Sequence, residues 1–421
     1  MQPPRVHSLA GVPSVMFIAI MTTLVQSFVV IKVAFVGLFV FFALVDGALR
    51  HDLRVYPRLI YFYLVIGIAG LVWSLIGLLN PESFLLGVTD SLRLYAVWSA
   101  AFLFLYTLLR SSSSLQYIHN ALVAAGILIS LMNFAGILDQ VAQLGIFPEF
   151  VSKELNQKAS FYEGYIQITS RNIGSLFFLV PYLIAVQIRS DAKEVKSFAT
   201  KLSLVLCLIL SVISGRRALL LIIAVTPLTL VVVSALSGNL RLMKSKARKV
   251  FVGYAVFLVL GFGVVASQPD FLMDQLFVQH LEDAFSATDE RAIQKPFLLD
   301  GFKTSPVIGT GFGYAARYQR NDERPWIYEL TYYQMLMNAG VLGVALIASL
   351  LLTYGIFILS IFRRFKPGSV IPFGLLVGVI SLLLGASSNP YLGSFDLLFF
   401  VGFLPFIATY RRGFEAAAVG R

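Results

Sequence analysis

Apolar runs of about twenty residues recur from one end of this chain to the other, and that recurrence limits the fold more than any other feature. Backbone N–H and C=O groups in hydrocarbon must find partners within the protein, so runs of this length become helices. Composition points the same way. Of 421 residues, 58% are hydrophobic and 13% charged, with a mean hydropathy of +0.81; a soluble domain carries about 25% charged residues. The expected fold class is an all-α polytopic integral membrane protein, one transmembrane domain over residues 1–421. The candidate spans are 12–30, 31–49, 59–79, 94–109, 117–138, 172–188, 202–214, 218–236, 250–266, 331–362, 370–386 and 395–410, about twelve in all. The first run follows a short polar stretch with Arg5 and lacks a small-residue cleavage site, so it reads as a retained span.

Loop charges set the expected orientation. Arg50, Arg54 and Arg58, then Arg189, Lys193, Lys196 and Lys201, then Arg241, Lys244, Lys246, Arg248 and Lys249 share one side of a twelve-span chain. Arg363, Arg364, Lys366, Arg411 and Arg412 continue the series. The positive-inside rule makes that side, and both termini, cytoplasmic. The net charge of +11 is then a topology signal, because no soluble domain gathers basic residues for nucleic acid. The single cysteine, Cys207, excludes an intrachain disulfide and a thiolate cluster. His7, His51, His119 and His280 show no ligand spacing, which argues against a metal enzyme and leaves carboxylate-only binding of Mg²⁺ open. No cofactor is expected.

Two outward segments are too polar for lipid: residues 139–169, and the larger 267–330 between the ninth and tenth spans. The larger one meets the mouth of the bundle and is the expected catalytic loop. Arg216 and Arg217 sit in a tight outward turn, SGRR. Charges at that depth are costly and usually face a polar interior, and a guanidinium fork suits phosphate oxygens. They read as a pyrophosphate clamp or as snorkelling side chains at lipid headgroups. Further on, Asp289 and Glu290 precede Arg291 and Lys295, which share one helix face at i and i+4. The turn SPVIGTGFGY, with Gly309, Gly311 and Gly313, is either a structural turn or a wall of the site. Glu329 opens the tenth span with Tyr332 and Tyr333 on its face. It either complements the helix N-terminus or serves as a general base with a raised pKa at a desolvated mouth. Tyr314, Tyr318, Trp326, Tyr328, Tyr332 and Tyr333 either stack on sugars or form an interfacial aromatic belt. Gly340 and Gly343 read as sites of close helix packing.

Three pieces together resemble the O-antigen ligase and O-antigen polymerase superfamily of bacterial envelope glycosyltransferases. They are the serine-arginine turn SVISGRRALL, the arginine-led stretch DERAIQKPFLLDGFKTSPVIGTGFG, and the helix start ELTYYQMLMNAGVLG. In the last, Gly340 and Gly343 keep the family's glycine register and Glu329 takes the position of the histidine of many ligases. SSNPYLGS at 387–394 is similar to an outer turn of some polymerases. The resemblance implies a GT-C-like architecture in the bacterial inner membrane with a periplasmic site. It implies metal-independent, inverting transfer of glycans from undecaprenyl pyrophosphate. By position, Arg291 with Arg216 or Arg217 would hold the pyrophosphate, and Glu329 would stand where the ligase base stands. Lys295, Tyr328 and Tyr332 are the further binding candidates. Lipid-linked glycan donor and acceptor and membrane lipid are the expected partners, with a chain-length regulator as another candidate and no nucleic acid. The glutamate favours a polymerase over a ligase. A flippase or transporter would instead show repeated halves with interrupted helices at matching positions, and a non-catalytic assembly partner would tolerate loss of the arginines.

Overall fold

The computed structural model describes residues 11–50, 56–108, 114–145, 147–162, 165–189, 195, 197–238, 290–320, 322–364, 370–387 and 389–409. Among the described residues, five helical segments are long and apolar enough to cross a membrane: Pro57–Leu79, Leu115–Ala142, Arg171–Ile188, Ala218–Leu236 and Thr331–Arg364. Shorter apolar helices accompany them at Val29–Leu38, Phe198–Ile213, Val370–Gly385 and Phe395–Thr409. The chain is a helical, multi-pass membrane protein. The span expected at 250–266 and the acidic Asp289 lie outside the described residues.

Among the described residues the helices are, in order, α1 (Gly11–Thr23), α2 (Val29–Arg50), α3 (Pro57–Leu79), α4 (Leu85–Leu92), α5 (Trp98–Leu108), α6 (Ser114–Ala142) and α7 (Glu149–Glu154). A two-stranded hairpin follows, β1 (Lys158–Tyr162) antiparallel to β2 (Tyr165–Thr169), with Lys158 opposite Thr169. Then come α8 (Leu176–Arg189), α9 (Phe198–Ile213), α10 (Arg217–Leu236), α11 (Glu290–Thr304), α12 (Thr331–Arg364), α13 (Val370–Gly385), α14 (Phe395–Val401) and α15 (Phe403–Thr409). The expected 139–169 segment is thus the end of α6, α7 and the hairpin. Where the fourth span was expected, at 94–109, the helix begins earlier, because α4 continues through a π-turn at Arg93–Val97 into α5.

Hydrophobicity on all sides places α8 at the centre. Nearly its whole length is buried against α13. Glycines let the two backbones approach: Gly374, Gly378 and Gly385 of α13 lie against the rings of Tyr182, Phe178 and Phe177. Small residues on one helix accepting large side chains of the other is how apolar helices gain packing contact in lipid. Phe178 also stacks on Phe400, with centroids 4.2 Å apart, which ties α14 to the same core.

The expected boundary between the first two spans, at residue 30, is displaced. The break lies between Thr23 and Val29, where Gln26 and Phe28 take left-handed backbone conformations. Lys32 therefore sits inside α2. It is fully buried and bonded at 2.5 Å to Asp396 of α14, also fully buried. The Gln26 N–H donates to the other carboxylate oxygen at 2.7 Å.

The longest helix, α12, is not continuous. Gly340 has φ 61°, which interrupts the helical ladder within an apolar segment. The 306–313 segment enters the break and takes up the released backbone groups. Thr310 N and Gly311 N donate to the carbonyls of Met337 and Asn338 at 3.0 and 2.9 Å. Val341 N and Leu342 N donate to the carbonyls of Pro306 and Val307 at 2.9 and 3.0 Å. On its other side the segment bonds α3: Trp73 Nε1 donates to Ile308 O at 2.7 Å, Phe312 N to Trp73 O at 3.0 Å and Asn80 Nδ2 to Thr310 O at 2.9 Å. The glycine-rich turn is thereby a structural insert. A Cβ at Gly311 would strike the backbone of Gly77, and one at Gly340 the carbonyl of Val307.

Gly340→Ala is expected to destabilise the detergent-solubilised protein by about 2–5 kcal/mol, from left-handed strain and backbone overlap together. Gly355→Ala in the same helix, where an added methyl meets nothing within 4 Å, should leave the melting temperature unchanged.

Candidate functional site

Docking of the 306–313 segment fixes α11 against the start of α12, because Leu298 of α11 packs with Tyr314, Tyr328 and Met337. Arg291, in the first turn of α11, then meets Glu329 just ahead of α12. Arg291 Nε donates to Glu329 Oε2 at 2.8 Å. The backbone N–H of Glu329 donates to Gln294 Oε1, one turn along α11, at 3.1 Å. Arg291 and Glu329, expected separately as a pyrophosphate ligand and a base, thus form a direct ion pair.

Arg320 joins them, and the sequence pattern did not single it out. Its Nη2 donates to Glu329 Oε1 at 2.7 Å and its Nε to Glu290 Oε1 at 2.9 Å. Glu329 thus receives one guanidinium on each oxygen. In YQRNDERPW, Arg320 is one of several charges in an irregular segment, and nothing in the spacing distinguishes it from Arg324.

Arg216 arrives from the other side of the site. Gly215 turns the chain with φ 62°, and Arg216 caps α10 from an extended conformation. Its Nη1 donates to the Tyr391 hydroxyl and its Nη2 to the Ser170 carbonyl, both at 3.1 Å. Among the described residues no carboxylate pairs with Arg216. Arg217 opens α10, and its side chain lies outside the described residues.

Tyr391 is where the two halves meet. Burial pushes its phenol above the ordinary value; the positive charges of Arg216 and Arg291 pull it down, and Glu329 pushes it up. All three charges therefore act on one hydroxyl. The turn carrying Tyr391 is tied to α12 by Thr331 Oγ1, which donates to Asn389 O at 2.7 Å. Tyr332 holds the same region through its hydroxyl, which donates to the Leu383 carbonyl. Just beyond the turn, Asp396 meets Lys32, and the Phe395 ring stacks on Trp98 with centroids 4.1 Å apart. The sequence pattern did not single out this pair; a lysine and an aspartate set among apolar residues are the signal that could have found it.

The remaining candidates separate. Lys295 is exposed on the same face of α11, with its ammonium 5.6 Å from the centre of the Tyr333 ring. Tyr328 is fully buried; its hydroxyl accepts from Ala316 N at 2.7 Å and donates to Tyr318 O at 3.2 Å. Burial raises its phenol to about 12. Tyr328 pins the loop and has no ring face left for a sugar, contrary to the expectation. Tyr314 and Trp326 are buried as well, whereas Tyr318, Tyr332 and Tyr333 keep accessible surface.

Chemically, the site offers three guanidinium groups at a partly open mouth beside an apolar bundle. There, charge-assisted hydrogen bonds to an anion are stronger than in bulk water. No family model, curated protein or solved structure matches this chain.

The Lys32–Asp396 pair anchors the Tyr391 turn, and its removal is readable without an activity assay. Asp396→Asn strands a buried ammonium and should cost about 3–5 kcal/mol, whereas the double variant Lys32→Met/Asp396→Leu should recover most of that loss. Thermal melts of the three proteins in one detergent check the pattern.

Proposed function

We propose that this protein is a lipid-linked-sugar-dependent glycosyltransferase of the O-antigen ligase and polymerase class, and within it a surface-polysaccharide polymerase. In this reading it lies in the bacterial inner membrane with both termini cytoplasmic. The site faces the periplasm. The donor is a growing glycan on undecaprenyl pyrophosphate, and the acceptor is a sugar hydroxyl of the next lipid-linked repeat unit.

The observation that carries the reading is the gathering of Arg216, Arg291 and Glu329 around Tyr391, from three segments far apart in the chain. These are the residues that the family resemblance marks for pyrophosphate binding and for the base position.

The step follows from what such groups do. The acceptor oxygen attacks the anomeric carbon, and the bond from that carbon to the diphosphate oxygen breaks with inversion. The bonding electron pair leaves with the diphosphate, whose growing charge the guanidinium groups stabilise. The acceptor proton passes to the Glu329 carboxylate and from there to water. The geometry requires no redox change. Glu329 in place of a histidine is what favours a polymerase over a ligase.

Deleting the gene and complementing it with variants tests the assignment on a gel of surface glycan. A polymerase leaves single repeats on the acceptor when absent; a ligase leaves long chains on the carrier; a flippase leaves units on the cytoplasmic face. Arg216→Ala and Arg291→Ala should abolish the ladder. Glu329→Ala should slow its formation by about 10²–10⁴-fold, the usual scale of general-base assistance. Normal ladders from all three variants at normal protein levels would remove the assignment.

A further inference from the structure

Glu329 presents one oxygen to each of two guanidinium groups, Oε2 to Arg291 at 2.8 Å and Oε1 to Arg320 at 2.7 Å. Two forks converging on two oxygens is also how arginines take up a phosphate group. The Lys32–Asp396 strut is wholly sealed, but this cluster is open: the side chains of Arg291, Arg320 and Glu329 are 40%, 34% and 18% exposed. Arg216, for its part, gives its hydrogen bonds to neutral oxygens, the Tyr391 hydroxyl and the Ser170 carbonyl. The Glu329 carboxylate already occupies the forks of Arg291 and Arg320.

We propose that Glu329 is the resident counter-ion of an anion clamp formed by Arg291 and Arg320, and that a diphosphate displaces it. Arg320 is then the third arm of the site, oriented by Glu290 through its Nε so that its Nη2 is directed at the anion. A diphosphate carries more charge than one carboxylate and spans more than one fork, so it draws in Arg216 as well. The exchange releases Glu329 only once the anion is seated. A carboxylate relieved of two guanidinium partners is a stronger proton acceptor. On the glycosyltransferase reading, on which this last consequence rests, donor binding thereby activates the base for the acceptor hydroxyl. The clamp and its counter-ion stand without that reading.

The full-length protein in lipid nanodiscs, titrated calorimetrically with inorganic pyrophosphate, tests the exchange. Glu329→Gln keeps the shape and removes the competing charge, and should bind pyrophosphate about tenfold more tightly than wild type. Glu329→Asp, whose shorter arm loosens the same contacts, should also bind more tightly and serves if the glutamine variant does not fold. Arg320→Ala should weaken binding by about tenfold in the wild-type and Glu329→Gln backgrounds alike. Glu329 variants that bind no better than wild type, or an Arg320→Ala protein that binds as well, would overturn the proposal. A second arm adds a polyprenyl diphosphate to the nanodisc. Competition with pyrophosphate assigns the clamp to a membrane-borne ligand; tight pyrophosphate binding without competition keeps the clamp and removes the lipid-linked donor.

Discussion

The structure depends on one backbone exchange, between the break in α12 and the segment that fills it. Gly340 opens the helix within an apolar run, where unpaired carbonyls and N–H groups cost several kcal/mol each. Residues 306–313 take up those groups on one side and bond α3 on the other. A loop otherwise free to move over the surface becomes part of the bundle. Because α11 precedes the insert and the Glu329 segment follows it, the insert sets where Arg291 and Glu329 meet.

Electrostatics then distinguishes two kinds of charge. Lys32 and Asp396 are sealed, paired and supported by the Gln26 N–H, and they hold the turn that carries Tyr391. The arginine cluster is partly open, and Arg216 gives its hydrogen bonds to neutral oxygens. The first arrangement fits a strut, since any anion would have to disrupt the core to reach Lys32. The second fits a ligand site, because an incoming anion meets donors that are already oriented by Tyr391, Ser170 and Glu290. Preorganised donors of that kind lose little on binding and stabilise charge as it develops.

Much of this was legible in the residues. Apolar run lengths gave the helical membrane class, but nothing in the 172–188 and 370–386 runs set them apart as the helices that form the buried pair α8 and α13. The SGRR turn and Glu329 stood out because charges at the ends of apolar runs need a reason, and Arg291 because it shares a helix face with Lys295 and leads a stretch that carries the family resemblance. What escaped was long-range. Arg320 and Ser170 act only through pairing with distant residues, and no local period records that. The insertion at Gly340 was hidden because a glycine in an apolar helix is usually a packing site, as Gly343 against Trp73 is here. Tyr328 misled for the converse reason, since an aromatic near a charged segment looks the same whether its ring faces a ligand or the loop's own core. The first span boundary moved because Lys32, polar in sequence, is neutralised by a residue far along the chain.

The account is tested most directly by reconstitution. The purified protein in nanodiscs would be given one repeat-unit oligosaccharide on a polyprenyl diphosphate, with a chelator present, and the glycan length, anomeric configuration and released lipid diphosphate would be followed together. Inverted linkages formed with one lipid diphosphate released for each, in a ladder of lengths, are the predicted result. Donor that binds but is neither elongated nor cleaved, with intact protein, would contradict the claim that the arginine cluster and Glu329 carry glycosyl transfer.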